Sequence, residues 1–224
     1  MQAWRDLPGF VFDMDGLLLD TERLGLQTWR RAARELNLPL PEDTFLEMIG
    51  RRSRDIRSRL IERVGREDLA DQLIARSTAH YDILIAQNVP VKEGVRELLA
   101  WLAARGQPCA VATSTGTARA ERKLGAAGLL NYFKAVIGGD RVDHGKPAPD
   151  IYLRAAAEIG VAAADSVVFE DSEPGLQGAH TAGARVVWVP DLAPVSAAGQ
   201  ALAAWRVGSL HEVLAAWRVE TPST

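Results

Sequence analysis

The apolar run Phe10-Val11-Phe12 delivers two aspartates one residue apart, Asp13 and Asp15, into a turn at Gly16. Residues two apart on an extended chain point to the same side. Like charges held that close raise the pKa of one carboxyl and leave the other ionised, making one a candidate nucleophile and the other a candidate acid. The pattern Asp-x-Asp-Gly also occurs in ordinary turns and calcium loops, so the rest of the chain has to decide. Three further polar clusters each follow or lie beside a predicted strand. The run Pro108 to Ala112 ends in two hydroxyls, Thr113 and Ser114. Gly145-Lys146-Pro147-Ala148-Pro149-Asp150 sets a lysine in a proline-stiffened loop at the start of a helix, and Val167-Val168-Phe169 ends on Glu170 and Asp171. Ligands of an open parallel sheet bind beyond the carboxyl ends of its strands, so all four clusters can converge on one pocket.

The elements that must position them can be read from hydrophobic period. After Asp15 the pattern turns helical, with Leu26, Trp29, Ala33 and Leu36 recurring at three- and four-residue intervals. Further helices are predicted over 43–49, 53–64 and 68–87, with no strand among them. A connector bracketed by Pro90 and Gly94 follows. Beyond it helices are predicted over 93–105, 117–127, 149–159 and 174–182. Strands are predicted over 108–113, 135–138, 167–171 and 185–189. This alternation predicts an α/β fold, a parallel sheet covered by helices. The expected organisation is a core formed by residues 1–16 and 89–224, interrupted by a helical unit over 17–88 that can open and close over the site. Gly16 and the connector Asn88 to Lys92 are the expected hinges. The hexapeptide LAAWRV occurs twice, from Leu202 and from Leu214, and is too short to be a structural repeat. Ser209 and Glu212 form a capping box that starts a last helix, and Glu220 to Thr224 reads as a frayed tail.

Composition excludes several function classes. The chain has 224 residues, 47% hydrophobic and 25% charged, with a net charge of -3. That balance gives no basis for a nucleic-acid partner, which would call for a basic patch. No apolar run approaches the roughly 20 residues of a membrane span, and the first residues lack a signal-peptide pattern. A cytoplasmic protein is expected, monomeric because no segment reads as an unpaired interface helix. The single cysteine, Cys109, reads as a small core residue. Basic charge comes as 22 arginines and four lysines, which makes Lys146 stand out.

The four clusters in this order resemble the haloacid dehalogenase superfamily. The segment Asp13 to Glu22, DMDGLLLDTE, is similar to its phosphatase branch with a helical cap, near β-phosphoglucomutase and small sugar phosphatases. The resemblance runs from the first strand to about Val189. It implies a Rossmann-like core with an inserted all-helical cap, acting on a small phosphorylated metabolite. The implied reaction is magnesium-dependent hydrolysis of a phosphate monoester, a sugar phosphate by preference, through an aspartyl-phosphate. A sugar phosphomutase is the alternative. Asp13 takes the nucleophile's place. Asp15 would protonate the leaving alkoxide and later deprotonate water, its carbonyl also ligating the metal. Asp13 and Asp171 would hold magnesium directly, with Glu170 acting through water or as a hydrogen-bond anchor. Lys146 would bridge the nucleophile and the phosphoryl oxygens, while the Thr113 hydroxyl and the Ser114 N–H bind a phosphoryl oxygen. Thr21 and Glu22, with Asp20, fall at the start of the cap; Arg51 and Arg52 fall in a cap loop, Gly50 to Arg54, expected to face the substrate. One departure bears on the reaction: Gly25 stands where the mutase carries a histidine, four residues beyond the threonine matching Thr21. Positions gripping the mutase's second phosphate are also not clearly matched, with Ser53 and Ser77 falling near them. Both departures favour plain hydrolysis. A dehalogenase, a phosphonate hydrolase and a receiver-type phosphoacceptor fit the motifs less well.

Overall fold

The computed structural model of the chain describes residues 2–48 and 53–219. Six strands form one parallel sheet: β1 Gly9–Phe12, β2 Cys109–Thr113, β3 Ala135–Gly138, β4 Ser166–Glu170, β5 Arg185–Trp188 and β6 Trp205–Arg206. Their order is β3-β2-β1-β4-β5-β6. β1 therefore lies between β2 and β4, pairing Phe12 with Val111 on one side and with Phe169 on the other. Every residue of β1, β2 and β4 is buried, as expected of strands covered on both faces.

Alternation along β1 separates two helical layers. Phe10 and Phe12 face a core shared with α5 (Val95–Ala104) and α10 (Leu210–Arg218), where Phe12 stacks on Phe169 at 4.7 Å and Phe10 meets the fully buried Trp217. Val11, Ala110, Ala112 and Val168 face the other layer, packed on α7 (Asp150–Glu158) and α8 (Glu173–Thr181). α6 (Thr117–Ala126) follows β2, and a short α9 (Ala197–Gln200) precedes β6. The expected strands and helices occur with ends shifted by at most three residues, the largest shift being at the end of the helix expected over 43–49; α9 is an addition, its four residues being too few for a periodic signal.

Between β1 and α5 the regular elements among the described residues are helices: α1 Thr21–Glu35, α2 Glu42–Leu46, α3 Ser53–Val64 and α4 Glu67–Gln87. They enclose a core of their own, in which Leu26, Ala32, Phe45, Met48, Leu60 and Leu73 pack together. The two connectors run side by side at its base. The Asp20 N–H donates to the Pro90 carbonyl at 2.9 Å and the Lys92 N–H to the Leu18 carbonyl at 3.0 Å. Ser209 caps α10 by accepting from the Glu212 N–H at 3.4 Å, and Glu212 reaches back to the Gly208 N–H at 2.9 Å, one residue before the one a capping box uses. The first LAAWRV copy contains β6 and the second ends α10. Cys109 is buried in β2 and its thiol is pushed up to about 12 by burial. No helix among the described residues is long and apolar enough to cross a membrane.

Candidate active site

β1 ends at Phe12, so Asp13 and Asp15 lie in the loop beyond the strand. The Asp13 N–H still donates to the Phe169 carbonyl at 3.0 Å, which fixes that residue against β4. Gly16 then turns the chain with φ +92°, and a Cβ there would run into the carboxylates of Asp171 and Glu22. Glycine is required both by that conformation and by the close approach of two acids. A pocket of about 70 Å³ opens at this edge, lined by Asp13, Asp15, Thr113, Ser114, Thr115, Lys146, Asp171 and Ser172.

Lys146 is 3% exposed at its side chain and bonds to both Asp13 and Glu170. Burial works against its charge, but those two carboxylates outweigh it and hold the ammonium well above its usual pKa. Glu170 Oε1 also accepts from the Tyr152 hydroxyl at 2.7 Å, while Oε2 accepts from the N–H groups of Asp171 and Ser172 and from the Ser172 hydroxyl. With donors on both oxygens and no face on the pocket, Glu170 takes the place of an anchor for Lys146 and for the start of α8. Of its two expected places, ligand through water or hydrogen-bond anchor, these contacts fit the anchor.

Asp15 accepts from the Thr21 hydroxyl, from the Thr115 hydroxyl at 2.7 Å and from Lys123 Nζ at 2.7 Å. Burial would raise its pKa, yet the Lys123 charge and these hydrogen bonds bring it below the ordinary value. Asp13 goes the other way: burial, with Glu170 and Asp15 adding to it against Lys146, lifts its carboxyl to about 8. The pair is split, as two neighbouring carboxyls should be, but in the sense opposite to a charged nucleophile beside a protonated acid. Burial rather than mutual repulsion is the chief cause.

Of the expected substrate contacts, Thr21 and Glu22 have partners among the core acids and Arg51 and Arg52 drop out of view. The Thr21 hydroxyl is committed to Asp15. Glu22 lines the helical-side cavity with Asp15 and also approaches Asp171 and Asp191, where burial and the neighbouring acids raise its carboxyl to about 9. The loop positions Gly50, Arg51 and Arg52 lie outside the described residues, as does the tail Glu220 to Thr224. Arg57 pairs with Glu67 and Asp71 on an exposed face. Thr113 closes β2, its hydroxyl accepting the Thr115 N–H at 3.1 Å.

Lys123, Thr115, Tyr152 and Asp191 were not singled out from sequence. Lys123 had a usable signal, being one of only four lysines, and Asp191 follows a strand end by the same rule that picked Asp171. Thr115 and Tyr152 had none, because hydroxyls on a loop and in a helix are commonplace.

The metal question can be put to the residues themselves. Asp171 is 2% exposed and its Oδ2 has no hydrogen-bond partner among the described residues, and burial and neighbouring acids push its carboxyl well up. Buried carboxylates in this condition are paired or hold a cation. Among the described residues, carboxylate oxygens of Glu22, Asp171 and Asp191 lie within 4.8 Å of one another. An all-oxygen donor set of this kind suits a hard divalent cation.

On the helical side two adjoining cavities, of about 170 and 220 Å³, share Gly25, Trp29, Ile56, Tyr81 and Lys123. Lys123 and Arg119 both lie over the Tyr81 ring at 5.1 Å, and Arg119 is paired with Asp82. The walls thus combine apolar and aromatic side chains with the charged groups of Asp15, Glu22, Arg119 and Lys123 and hydroxyls at Thr28, Ser77 and Thr78.

A parallel sheet whose carboxyl edge gathers acids and a buried lysine, with a helical insertion after its first strand, defines a Rossmann-like α/β hydrolase. The chain belongs to the haloacid dehalogenase-like hydrolase family, whose model matches residues 10–189. It is 33% identical over 178 residues to a phosphorylated carbohydrates phosphatase of Thermotoga maritima, covering 80% of this chain and 82% of that one. It is 35% identical over 180 residues to a fructose-1-phosphate phosphatase of Escherichia coli, covering 80% and 94%. Among solved structures it is similar to CbbY from Rhodobacter sphaeroides in complex with phosphate, with TM-score 0.76 and 26% identity over 92% of this chain and 96% of that one.

Proposed function

We propose that this protein is a magnesium-dependent phosphatase of small phosphate monoesters, sugar phosphates foremost, and that helices α1 to α4 are the cap over its site. The carrying observation is the ion pair between Asp13 and Lys146, set in one small pocket with Asp15, Thr113 and Asp171. The likeness to two sugar-phosphate phosphatases supports the substrate class.

Asp13 attacks phosphorus and the leaving alkoxide departs with a proton, which splits one hard displacement into two. Lys146, locked by Glu170 and Tyr152, neutralises the charge that gathers on the phosphoryl oxygens and the nucleophile. The Thr113 hydroxyl and the Ser114 backbone orient the phosphoryl group from the end of β2. Asp15 gives the proton to the leaving oxygen and takes one from the water that hydrolyses the acyl phosphate; it has to loosen its bond to Lys123 to do so. Asp13, Asp171 and the Asp15 carbonyl would hold magnesium, which supplies fixed positive charge against two anions. Asp13, whose carboxyl burial lifts to about 8, would be held ionised beside such a charge.

The mutase draws support from a likeness to a β-phosphoglucomutase of Bacillus subtilis, 27% identical over 186 residues, and the geometry at Gly25 adds none to it. At Gly25 a Cβ would meet nothing within 4 Å, so the space a histidine would occupy beside Asp15 stays open to the leaving group or to water.

The test is phosphate release from a panel of small phosphate esters, with and without magnesium. The wild-type protein should release phosphate only with the cation, and Asp13→Asn should lose roughly a thousandfold or more in kcat while keeping its circular-dichroism spectrum. Near wild-type turnover by Asp13→Asn would refute the assignment; interconversion of monophosphates on adding a sugar bisphosphate would turn it into a mutase.

A further inference from the structure

Two acids behind the pocket have no role in the hydrolysis above. Glu22 lies in the first turn of α1, and Asp191 follows β5. Both side chains are nearly inaccessible, Glu22 at 8% and the Asp191 side chain at 2%. Glu22 Oε2, Asp171 Oδ2 and Asp191 Oδ2 are buried, each without a hydrogen-bond partner among the described residues, and the three carboxylates come within 4.8 Å of one another.

The nearby lysines do not answer this charge. Lys146 is held by Asp13 and Glu170, and Lys123 by Asp15. Lys92 and, at 3.5 Å, Arg23 bind only Oδ1 of Asp191. What remains is a small recess of carboxylate oxygens beside a proposed magnesium ligand, in which Asp191 has Lys92 as a partner on one oxygen. Magnesium keeps several of its waters when protein-bound, and carboxylates just beyond the ligands commonly receive those waters' hydrogens.

We propose that Glu22 and Asp191 complete the divalent-cation centre by accepting hydrogen bonds from the cation's water ligands, and that the centre is therefore shared between core and cap. The inference rests on the magnesium-phosphatase reading. Asp171 belongs to the core, Glu22 to the first cap helix, and Asp191 is bonded through Lys92 to the returning connector. Cation binding then draws the first turn of α1 and the connector onto the core, and without a cation the unpartnered oxygens of Glu22, Asp171 and Asp191 lack the donors that would hold that segment. The cap's base becomes firm only when the site is loaded.

Manganese(II), whose free form is counted by electron paramagnetic resonance, reports binding without any substrate. Glu22→Gln and Asp191→Asn should each weaken manganese binding roughly tenfold or more, and Asp171→Asn should weaken it further. Hydrogen exchange over residues 18–24 and 88–92 should slow on adding magnesium in the wild type, and slow less in the Glu22 and Asp191 variants. Wild-type affinity and wild-type protection in both variants would overturn the proposal, leaving the phosphatase reading intact provided Asp171→Asn still fails to bind. Absence of saturable binding to the wild type would overturn both. The substitutions are isosteric and sit on different elements, so a folding defect in one leaves the other to decide.

Discussion

Asp15 is caught between two demands. As general acid it must carry a proton, yet Lys123, Thr21 and Thr115 all favour its ionised form. Lys123 is 6% exposed at its side chain, so its charge acts on Asp15 with little screening. Replacing it by methionine removes the largest lowering influence on Asp15, and the carboxyl keeps its proton to higher pH. Lys123→Met should therefore move the alkaline limb of the pH dependence of kcat/KM upward. An unmoved limb with the same fold would take Lys123 out of the control of Asp15. At this scale the sequence displayed the groups that announce themselves at strand ends, Asp13, Thr113 and Asp171. It concealed Lys123, which reaches the site from a helix face 108 residues away in the chain. It put Thr21 and Glu22 at the start of the helical insertion, where both line a cavity, but it did not show their contacts with Asp15 and Asp171, because position in a motif does not say which way a side chain turns once Gly16 has bent the backbone.

Helix α1 carries its own oddity, a glycine in its second turn. Gly25 has a negative φ, and nothing lies within 4 Å of the Cβ it lacks. Neither conformation nor crowding demands glycine there, and its residue costs the helix about 1 kcal/mol relative to alanine. Gly25→Ala should raise the melting temperature, seen by calorimetry, with little change in turnover of small esters. Gly25→Leu should fill the wall shared by the two cavities and raise KM for esters with ring-sized leaving groups more than for three-carbon ones. An unchanged KM ratio would mean that the substrate does not use that space. Elements themselves were legible almost throughout, since buried parallel strands are short apolar runs and the helices between them repeat every three to four residues. The short α9 escaped, and so did the direct pairing of the two connectors, because a single bridge between Leu19 and Val91 has no periodicity to read.

Across the whole molecule, folding gathers acids faster than bases at one edge of the sheet, and stability must then respond to pH. Asp13 at about 8, Glu22 at about 9 and Asp171, also raised, bind protons in the cation-free folded state that the unfolded chain has already released. The folded form binds more protons across that window, so stability falls as pH rises from the ordinary carboxylate range toward about 9. Asp15 and Glu170, both lowered, contribute in the opposite sense, and their share is lost only as pH drops below the ordinary range. Calorimetry in chelator should thus give a lower melting temperature at pH 9 than at pH 6, and magnesium should shrink or reverse the difference by taking the protons' place. A flat profile in chelator would contradict the burial of these acids. The paired connectors carry a different consequence. Because Leu18 and Lys92 are hydrogen-bonded neighbours, the chain leaves the sheet and returns to it through a single doorway. The whole helical excursion is therefore a detachable cassette. A tight turn in its place would keep the strand order and expose the catalytic edge to phosphoryl groups displayed on macromolecules. A cassette borrowed from a relative would import that relative's taste in leaving groups, provided it brought a hydroxyl and an acid to the places of Thr21 and Glu22 beside Asp15 and Asp171.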